Sequence, residues 1–168
     1  MFFILIIQSI LINFILGLDA SAFAYSIFFA VTLGLSYVDI KERIVPDKAH
    51  FLLIFIGILL LIFSTRDISL TDRLIGIFIV SVPMLLITLL TGGFGGGDIK
   101  LFAVCGFALG KGTILTSAFF AVIIAALVGV FLIIFFKMNR KTAIPFVPFI
   151  HLGMLIAVLA FYQSPNSP

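Results

Sequence analysis

The sequence predicts an all-α protein, a polytopic transmembrane bundle of about seven spans, or six if the first is a signal peptide. Two observations lead to this prediction. Hydrophobic residues make up 63% of the 168 residues and charged residues only 10%, against about 45–50% and about 25% in soluble domains. The apolar residues also form runs close to the roughly 20 residues that a helix needs to cross a bilayer. We therefore expect residues 1–168 to form a single integral membrane domain.

The apolar runs define the spans in order along the chain. The predicted spans are Phe2 to Leu18, Phe23 to Val38, His50 to Phe63, Leu74 to Leu90, Ile99 to Leu109, Thr113 to Phe136 and Ile144 to Tyr162. Pro83 is expected to kink the fourth span. The polar tail from Gln163 is expected to fray. Ala20-Ser21-Ala22 resembles a signal-peptide cleavage site, but no Lys or Arg precedes the first run, so a retained helix is favoured.

Lysine and arginine predict the orientation. Alternation of the spans places seven of the ten Lys and Arg residues on one side: Lys41, Arg43, Lys48, Lys100, Lys137, Arg140 and Lys141. The other side has Arg66, Arg73 and Lys111. The richer side is predicted to be cytoplasmic by the positive-inside rule. The basic residues form no run with interleaved aromatics, so the lipid bilayer is an expected partner and nucleic acid is not.

Two acids lie where an apolar run meets a cytoplasmic loop. Asp39 follows the second span and Asp98 precedes the fifth. Since two spans separate them, both return to the same face of the membrane. Paired carboxyls can share one proton and activate water without a metal. Alternatively, Asp39 could pair with Arg43 at i,i+4 and Asp98 could simply cap a helix.

A glycine-rich segment from Gly92 to Gly97 leads into Asp98. Such a density of glycine disfavours helix and permits close backbone approach. Unwound backbone at membrane depth is tolerated where it lines a wet cavity, so we expect Asp98 to lie beside one. The phosphate-binding-loop pattern is not present. One cysteine, Cys105, and two histidines without partners at helical spacing predict no metal site, and we expect no cofactor.

Three segments resemble, in order, the motifs of type IV prepilin peptidases, which are intramembrane aspartic proteases. They are DIKERIVPD from Asp39 to Asp47, GGFGGGDIKL from Gly92 to Leu101 and AIPFVPF from Ala143 to Phe149. The middle segment resembles the G-x-G-D motif, and the last one resembles a late I-P-F-G-P-F motif. Together the matches cover roughly Ser36 to Ile150.

The resemblance implies that Asp39 and Asp98 are the catalytic pair of a single peptidase domain. It implies a multi-pass protein of a prokaryotic inner membrane with its active site facing the cytoplasm. It also implies substrates among prepilins, pseudopilins or preflagellins, in which a short basic leader ending in Gly precedes a hydrophobic helix. With one cysteine and no long soluble insertion, the sequence resembles the short form without the methyltransferase domain. Asp47 and Val147 depart from the common Asn and Gly.

Further residues are predicted to support the site. The glycines Gly95, Gly96 and Gly97 would shape the loop, and Pro46, Pro145 and Pro148 its surroundings. Lys100 could stabilise an anionic intermediate or dock a substrate carboxylate, or could simply be an orienting charge. His151 is predicted to be a packed polar residue.

Two other functions fit the paired acids. The chain could be a small transporter or channel subunit that uses Asp39 and Asp98 to coordinate ions or relay protons. It could also be a non-catalytic assembly protein of the same fold. The three motifs together favour the peptidase.

Overall fold

The structure, a computed structural model, describes residues 2–63, 68–137 and 144–162. These residues form helices that follow the predicted order. The helices are α1 (Phe2–Leu16), α2 (Ala20–Glu42), α3 (Asp47–Phe63), α4 (Leu70–Thr91), α5 (Gly96–Leu109), α6 (Lys111–Phe136) and α7 (Val147–Tyr162). The predicted all-α class is confirmed. Arg66, Arg140, Lys141, Ala143 and the tail from Gln163 lie outside the described residues.

Local sequence signals explain several of the helix ends. Asp19 caps α2, since its carboxylate accepts a hydrogen bond of 2.8 Å from the Ala22 amide. The same helix ends at Arg43, which adopts a left-handed conformation with φ 56°. Gly92 ends α4 in the left-handed region that glycine adopts without a Cβ clash. Pro46 immediately precedes α3, where its missing N–H costs no helix hydrogen bond.

Three helices are long and apolar enough to cross a membrane, namely α2, α4 and α6. Shorter apolar helices cover Phe3–Leu16 and Val147–Phe161. Large apolar side chains are exposed over the outside of the bundle; Phe14 and Leu90, for example, each expose 86% of their surface. So much exposed apolar surface is typical of a bundle surrounded by lipid rather than water. These features define a membrane protein, whereas the count of seven spans stays a prediction.

Small residues let the helices approach closely. Gly76 of α4 and Gly106 of α5 lie against each other's backbone, and a Cβ on either would clash with it. Gly153 of α7 likewise lies against the backbone of Ser117 in α6. In the bundle α5 packs on α3 and α4, and α7 packs on α2 and α6.

Buried polar side chains join helices that are distant in sequence. His151 contacts Thr32 Oγ1 through Nδ1 at 2.8 Å and Gln8 Oε1 through Nε2 at 3.1 Å, which joins α7 to α2 and α1. This agrees with its prediction as a packed polar residue. Arg73, which we counted with the loop charges, is instead buried in the bundle. Its guanidinium donates to the Ala108 carbonyl at 2.6 Å and to the Leu60 carbonyl at 3.4 Å, near the ends of α5 and α3, where cations are favoured.

Two helices extend beyond their predicted apolar spans at the site. The second span was predicted to end at Val38, but α2 continues to Glu42 and so contains Asp39. The glycine-rich segment leaves the helical conformation only from Gly92 to Gly95, because Gly96 and Gly97 already belong to α5. The expectation that all of Gly92–Gly97 is unwound was therefore wrong for its last two residues. Asp98 consequently lies within the first turn of α5.

Candidate active site

Asp39 lies one turn before the end of α2 and exposes only 6% of its surface. Its Oδ2 accepts a hydrogen bond of 3.0 Å from the backbone N–H of Val147, the first residue of α7. The first N–H groups of a helix have no partner within the helix, and they attract negative charge. The carboxylate of one helix therefore satisfies the amino end of another, and this contact fixes where Asp39 lies.

Asp98 lies half-buried in the first turn of α5. Its backbone N–H donates to the Gly95 carbonyl at 3.1 Å. A Cβ at position 95 would lie 3.2 Å from Asp98 Oδ2, so the carboxyl folds back over Gly95. Glycine at position 95 leaves room for this conformation of the acid.

The two aspartates line the same cavity, which has a volume of about 270 Å³. Four segments of the chain meet around it: the end of α2, the glycine-rich loop, the start of α5 and the residues before α7. The lining residues are Asp39, Arg43, Gly93, Phe94, Gly95, Asp98, Ile144, Pro145 and Phe146. Phe94 packs against Phe146 with ring centroids 5.4 Å apart, which joins the glycine-rich loop to the segment before α7.

Burial and the neighbouring Asp39 change the acidity of Asp98, which precedes the predicted fifth span, Ile99 to Leu109. Burial, and then the charge of Asp39, raise the pKa of Asp98 to about 6, although a hydrogen bond with the Gly95 backbone lowers it. Asp98 therefore holds a proton to higher pH than a solvated aspartate does. A pair of carboxyls with one proton between them can both accept and donate a proton at a bound water.

The other predicted site residues lie in different places. Pro145 lines the cavity, whereas Pro148, in the first turn of α7, lines a separate apolar groove of about 630 Å³ between α1, α2 and α7. Pro46 precedes α3, and its carbonyl accepts a hydrogen bond of 3.0 Å from the Ala49 amide. Gly96 is exposed, and Gly97 packs against Val45.

Lys100 lies apart from the two aspartates. Its Nζ binds Asp47 Oδ1 at 2.8 Å, and both side chains are largely exposed. The pair lines a groove of about 400 Å³ between α3 and α5 rather than the cavity of Asp39 and Asp98. In this structure Lys100 therefore joins two segments and does not point a charge at the acids.

Sequence reasoning did not identify the roles of four contributors to the site. The Val147 amide binds Asp39, and Phe146 closes one side of the cavity, but a motif gives no sign of a backbone contact. Arg43 was considered as an ion-pair partner of Asp39 and as an orienting charge. None of the ion pairs found between described residues joins it to Asp39, yet it lines the cavity. His50 contacts Gly97, the residue before Asp98. Within the described residues no three His, Cys, Asp or Glu side chains cluster to hold a metal.

The fold and this cavity define a helical membrane protein in which two acidic side chains from different helices share one site. Residues 26–134 match the family model of the type IV leader peptidase family. The chain belongs to this family, which is a family of peptidases, and the resemblance seen in its motifs is thereby confirmed.

Two relatives are prepilin leader peptidase/N-methyltransferases. The protein of Bacillus subtilis is 32% identical over 148 residues, which cover 85% of this chain and 58% of the relative. The protein of Stutzerimonas stutzeri is 25% identical over 132 residues, which cover 76% of this chain and 46% of the relative. The chain thus spans about half the length of the curated relatives it matches. No solved structure matches it significantly.

Proposed function

We propose that this protein is a membrane-embedded aspartic endopeptidase that removes the leader peptide from prepilins or related pilin-like proteins. The observation that supports this most directly is that Asp39 and Asp98 reach one cavity from two different helices. The names of the two relatives support the choice of substrate. The predicted cytoplasmic side of the reaction rests on the basic residues at this end of the bundle.

In the proposed reaction the two carboxyls activate one water. Asp98, whose pKa is raised, holds the shared proton and donates it to the oxygen of the scissile carbonyl. Asp39, as a carboxylate, takes a proton from the water while the water oxygen attacks the carbonyl carbon. The tetrahedral intermediate collapses when the C–N bond breaks: the leaving nitrogen takes a proton from Asp39, and one hydroxyl of the intermediate returns its proton to Asp98. Water is consumed, and one acid and one amine are released.

Replacement of each aspartate tests the proposal. Membranes or detergent-purified protein would be incubated with a pilin-like substrate, and the product identified by N-terminal sequencing. We expect Asp39→Asn and Asp98→Asn each to abolish cleavage while the protein still inserts and folds, because each variant keeps the side-chain shape but loses a proton-transfer group. Asp72→Asn is the matched control, since Asp72 is bound to Lys111 in a different part of the bundle.

The outcomes separate the competing functions. Wild-type turnover in Asp39→Asn or Asp98→Asn would contradict the two-aspartate mechanism. A wild-type protein that cleaves no pilin-like substrate, but whose ion or proton flux depends on both aspartates, would support the transporter or channel hypothesis instead.

A further inference from the structure

Three contacts join the segment around the start of α3 to the first turn of α5. A Cβ on Gly97 would lie 3.0 Å from Val45 Cβ, so the two backbones pack closely. Lys100 binds Asp47 at 2.8 Å. His50 Nε2 lies 3.3 Å from the Gly97 carbonyl oxygen. All three contacts lie within two residues of Asp98, and of the four side chains involved only His50 is buried.

The chemistry of the His50 contact fixes its direction. A carbonyl oxygen can only accept, so Nε2 of His50 carries the hydrogen and donates it. Nδ1 has no hydrogen-bond partner among the described residues and lies 3.7 Å from Asp47 Oδ1. A buried imidazole with one nitrogen unpaired is costly, and buried polar atoms without partners are uncommon in folded proteins. The position of His50 is therefore not explained by packing alone.

The hydrogen bond acts on the peptide group that leads into Asp98. The Gly97 carbonyl and the Asp98 amide belong to one rigid planar unit. His50 holds the oxygen of this unit, and the Gly95 carbonyl holds its N–H at 3.1 Å. Because both its oxygen and its N–H are hydrogen-bonded, this peptide group cannot rotate freely, and the backbone that carries the Asp98 side chain is restricted. Glycine on its N-terminal side would otherwise allow that rotation more easily than any other residue.

We propose that His50 is a positioning residue that holds the carboxyl of Asp98 in the cavity through its hydrogen bond to the Gly97 carbonyl. The proposal deepens the proposed function and rests on it. His50 does not line the cavity of the two aspartates, so it acts through the backbone and not on substrate. Its loss lowers the rate of the chemical step, because both acids must reach one water.

Two conservative variants separate positioning from packing. In His50→Gln the side-chain amide nitrogen reaches close to the former Nε2 and can still donate to the Gly97 carbonyl. In His50→Asn the amide reaches only the position of Nδ1 and cannot. We expect His50→Ala and His50→Asn to lower kcat for a pilin-like substrate on the order of 10- to 100-fold with little change in KM. We expect His50→Gln to retain most of the wild-type kcat.

A second measurement does not depend on catalysis. Amide hydrogen exchange at residues 97–101 should be faster in His50→Ala and His50→Asn than in the wild type, and close to wild type in His50→Gln. Thermal unfolding of each purified variant corrects the rates for the folded fraction. His151→Ala is the control for the loss of a buried histidine, and it should leave exchange in this turn unchanged.

The outcomes distinguish this inference from the proposed function. If the wild type cleaves substrate and Asp98→Asn does not, wild-type kcat in His50→Ala overturns the positioning role alone. Equal losses in His50→Gln and His50→Asn also overturn it. If the wild type cleaves nothing, the proposed function fails. Amide exchange still tests the hydrogen bond in that case: an unchanged exchange rate at residues 97–101 in His50→Ala would show that the bond does not stabilise this turn.

Discussion

Glycine at position 97 is required by its contacts rather than by its backbone angles. It lies in the helical first turn of α5, where alanine would be the better helix former. A Cβ there would lie 3.0 Å from Cβ and 3.2 Å from Cγ2 of Val45. The Cβ of Val45 is fixed to its backbone and cannot rotate away. Among the described residues nothing lies within 4 Å of a Cβ at its neighbour Gly96, so the contact argument applies to Gly97 alone.

We therefore expect Gly97→Ala and Gly96→Ala to have opposite effects on stability. Gly97→Ala overpacks the contact with Val45 and should destabilise the protein by about 1–3 kcal/mol. It should also lower cleavage, because it moves the turn that carries Asp98. Gly96→Ala should be neutral or stabilise the protein by up to about 1 kcal/mol, because it gains helix propensity without a clash. Thermal unfolding and cleavage rates of the two purified variants would measure both effects; equal behaviour of the two would contradict the role of the Val45 contact.

At the scale of single elements, sequence reasoning predicted the helices but not where those at the site begin and end. Hydrophobic runs found the order of the helices because each run is long and uninterrupted. The ends were less certain because they depend on local capping, such as the left-handed conformation of Arg43, which ends α2 only after Asp39. Glycine content correctly predicted a break after α4, but Gly96 and Gly97 still form the first turn of α5.

The same limit applies to the candidate site. Motifs selected Asp39 and Asp98, and the structure brings both to one cavity. The contacts that hold them were not predictable, because they join residues far apart in the chain. Val147 is 108 residues from Asp39, and His50 is 47 residues from Gly97. One of these contacts uses a backbone amide, which no residue pattern records.

The exposed pair Asp47–Lys100 joins the start of α3 to α5 beside the site, whereas Asp72–Lys111 joins α4 to α6 away from it. A double-mutant cycle with alanine at each pair should give only small coupling in stability, as is usual for exposed ion pairs. In kcat, we expect a few-fold coupling for Asp47–Lys100 and none for Asp72–Lys111, because only the first pair borders the turn of Asp98. Equal coupling in kcat for both pairs would contradict this expectation, and so would the lack of coupling in both.

For the whole molecule, the structure strengthens the argument from charge for its orientation. Basic residues at the end that carries the site are exposed on the loops and helix ends, and in the described residues they are Lys41, Arg43, Lys48, Lys100 and Lys137. At the other end Arg73 is buried and bonded to helix carbonyls, so it does not act as a loop charge. Lys111 there is paired with Asp72. Without the buried Arg73, the described basic residues are five at the end that carries the site and Lys111 alone at the other end, and this asymmetry favours the proposed cytoplasmic site.

The single cysteine makes this orientation directly testable. Cys105 is fully buried, so a membrane-impermeant maleimide should leave the folded wild type unlabelled. Lys48 and Gly112 are exposed, and α3, α4 and α5 lie between them. If all three helices cross the bilayer, the two positions face opposite sides. We expect Gly112→Cys to be labelled in intact cells and Lys48→Cys only in inverted membrane vesicles.

Each alternative result has a distinct meaning for the site. Labelling of Lys48→Cys in intact cells, with Gly112→Cys protected, would place Asp39 and Asp98 at the outer face and contradict cleavage in the cytoplasm. Labelling of both from the same side would mean that an even number of the three intervening helices cross. The 14-residue α5 would then be the first candidate for a helix that enters the bilayer without crossing it, since at about 1.5 Å per residue it is shorter than the roughly 30 Å hydrocarbon core. Asp98 would still share a cavity with Asp39, because that depends on helix packing and not on how many helices cross.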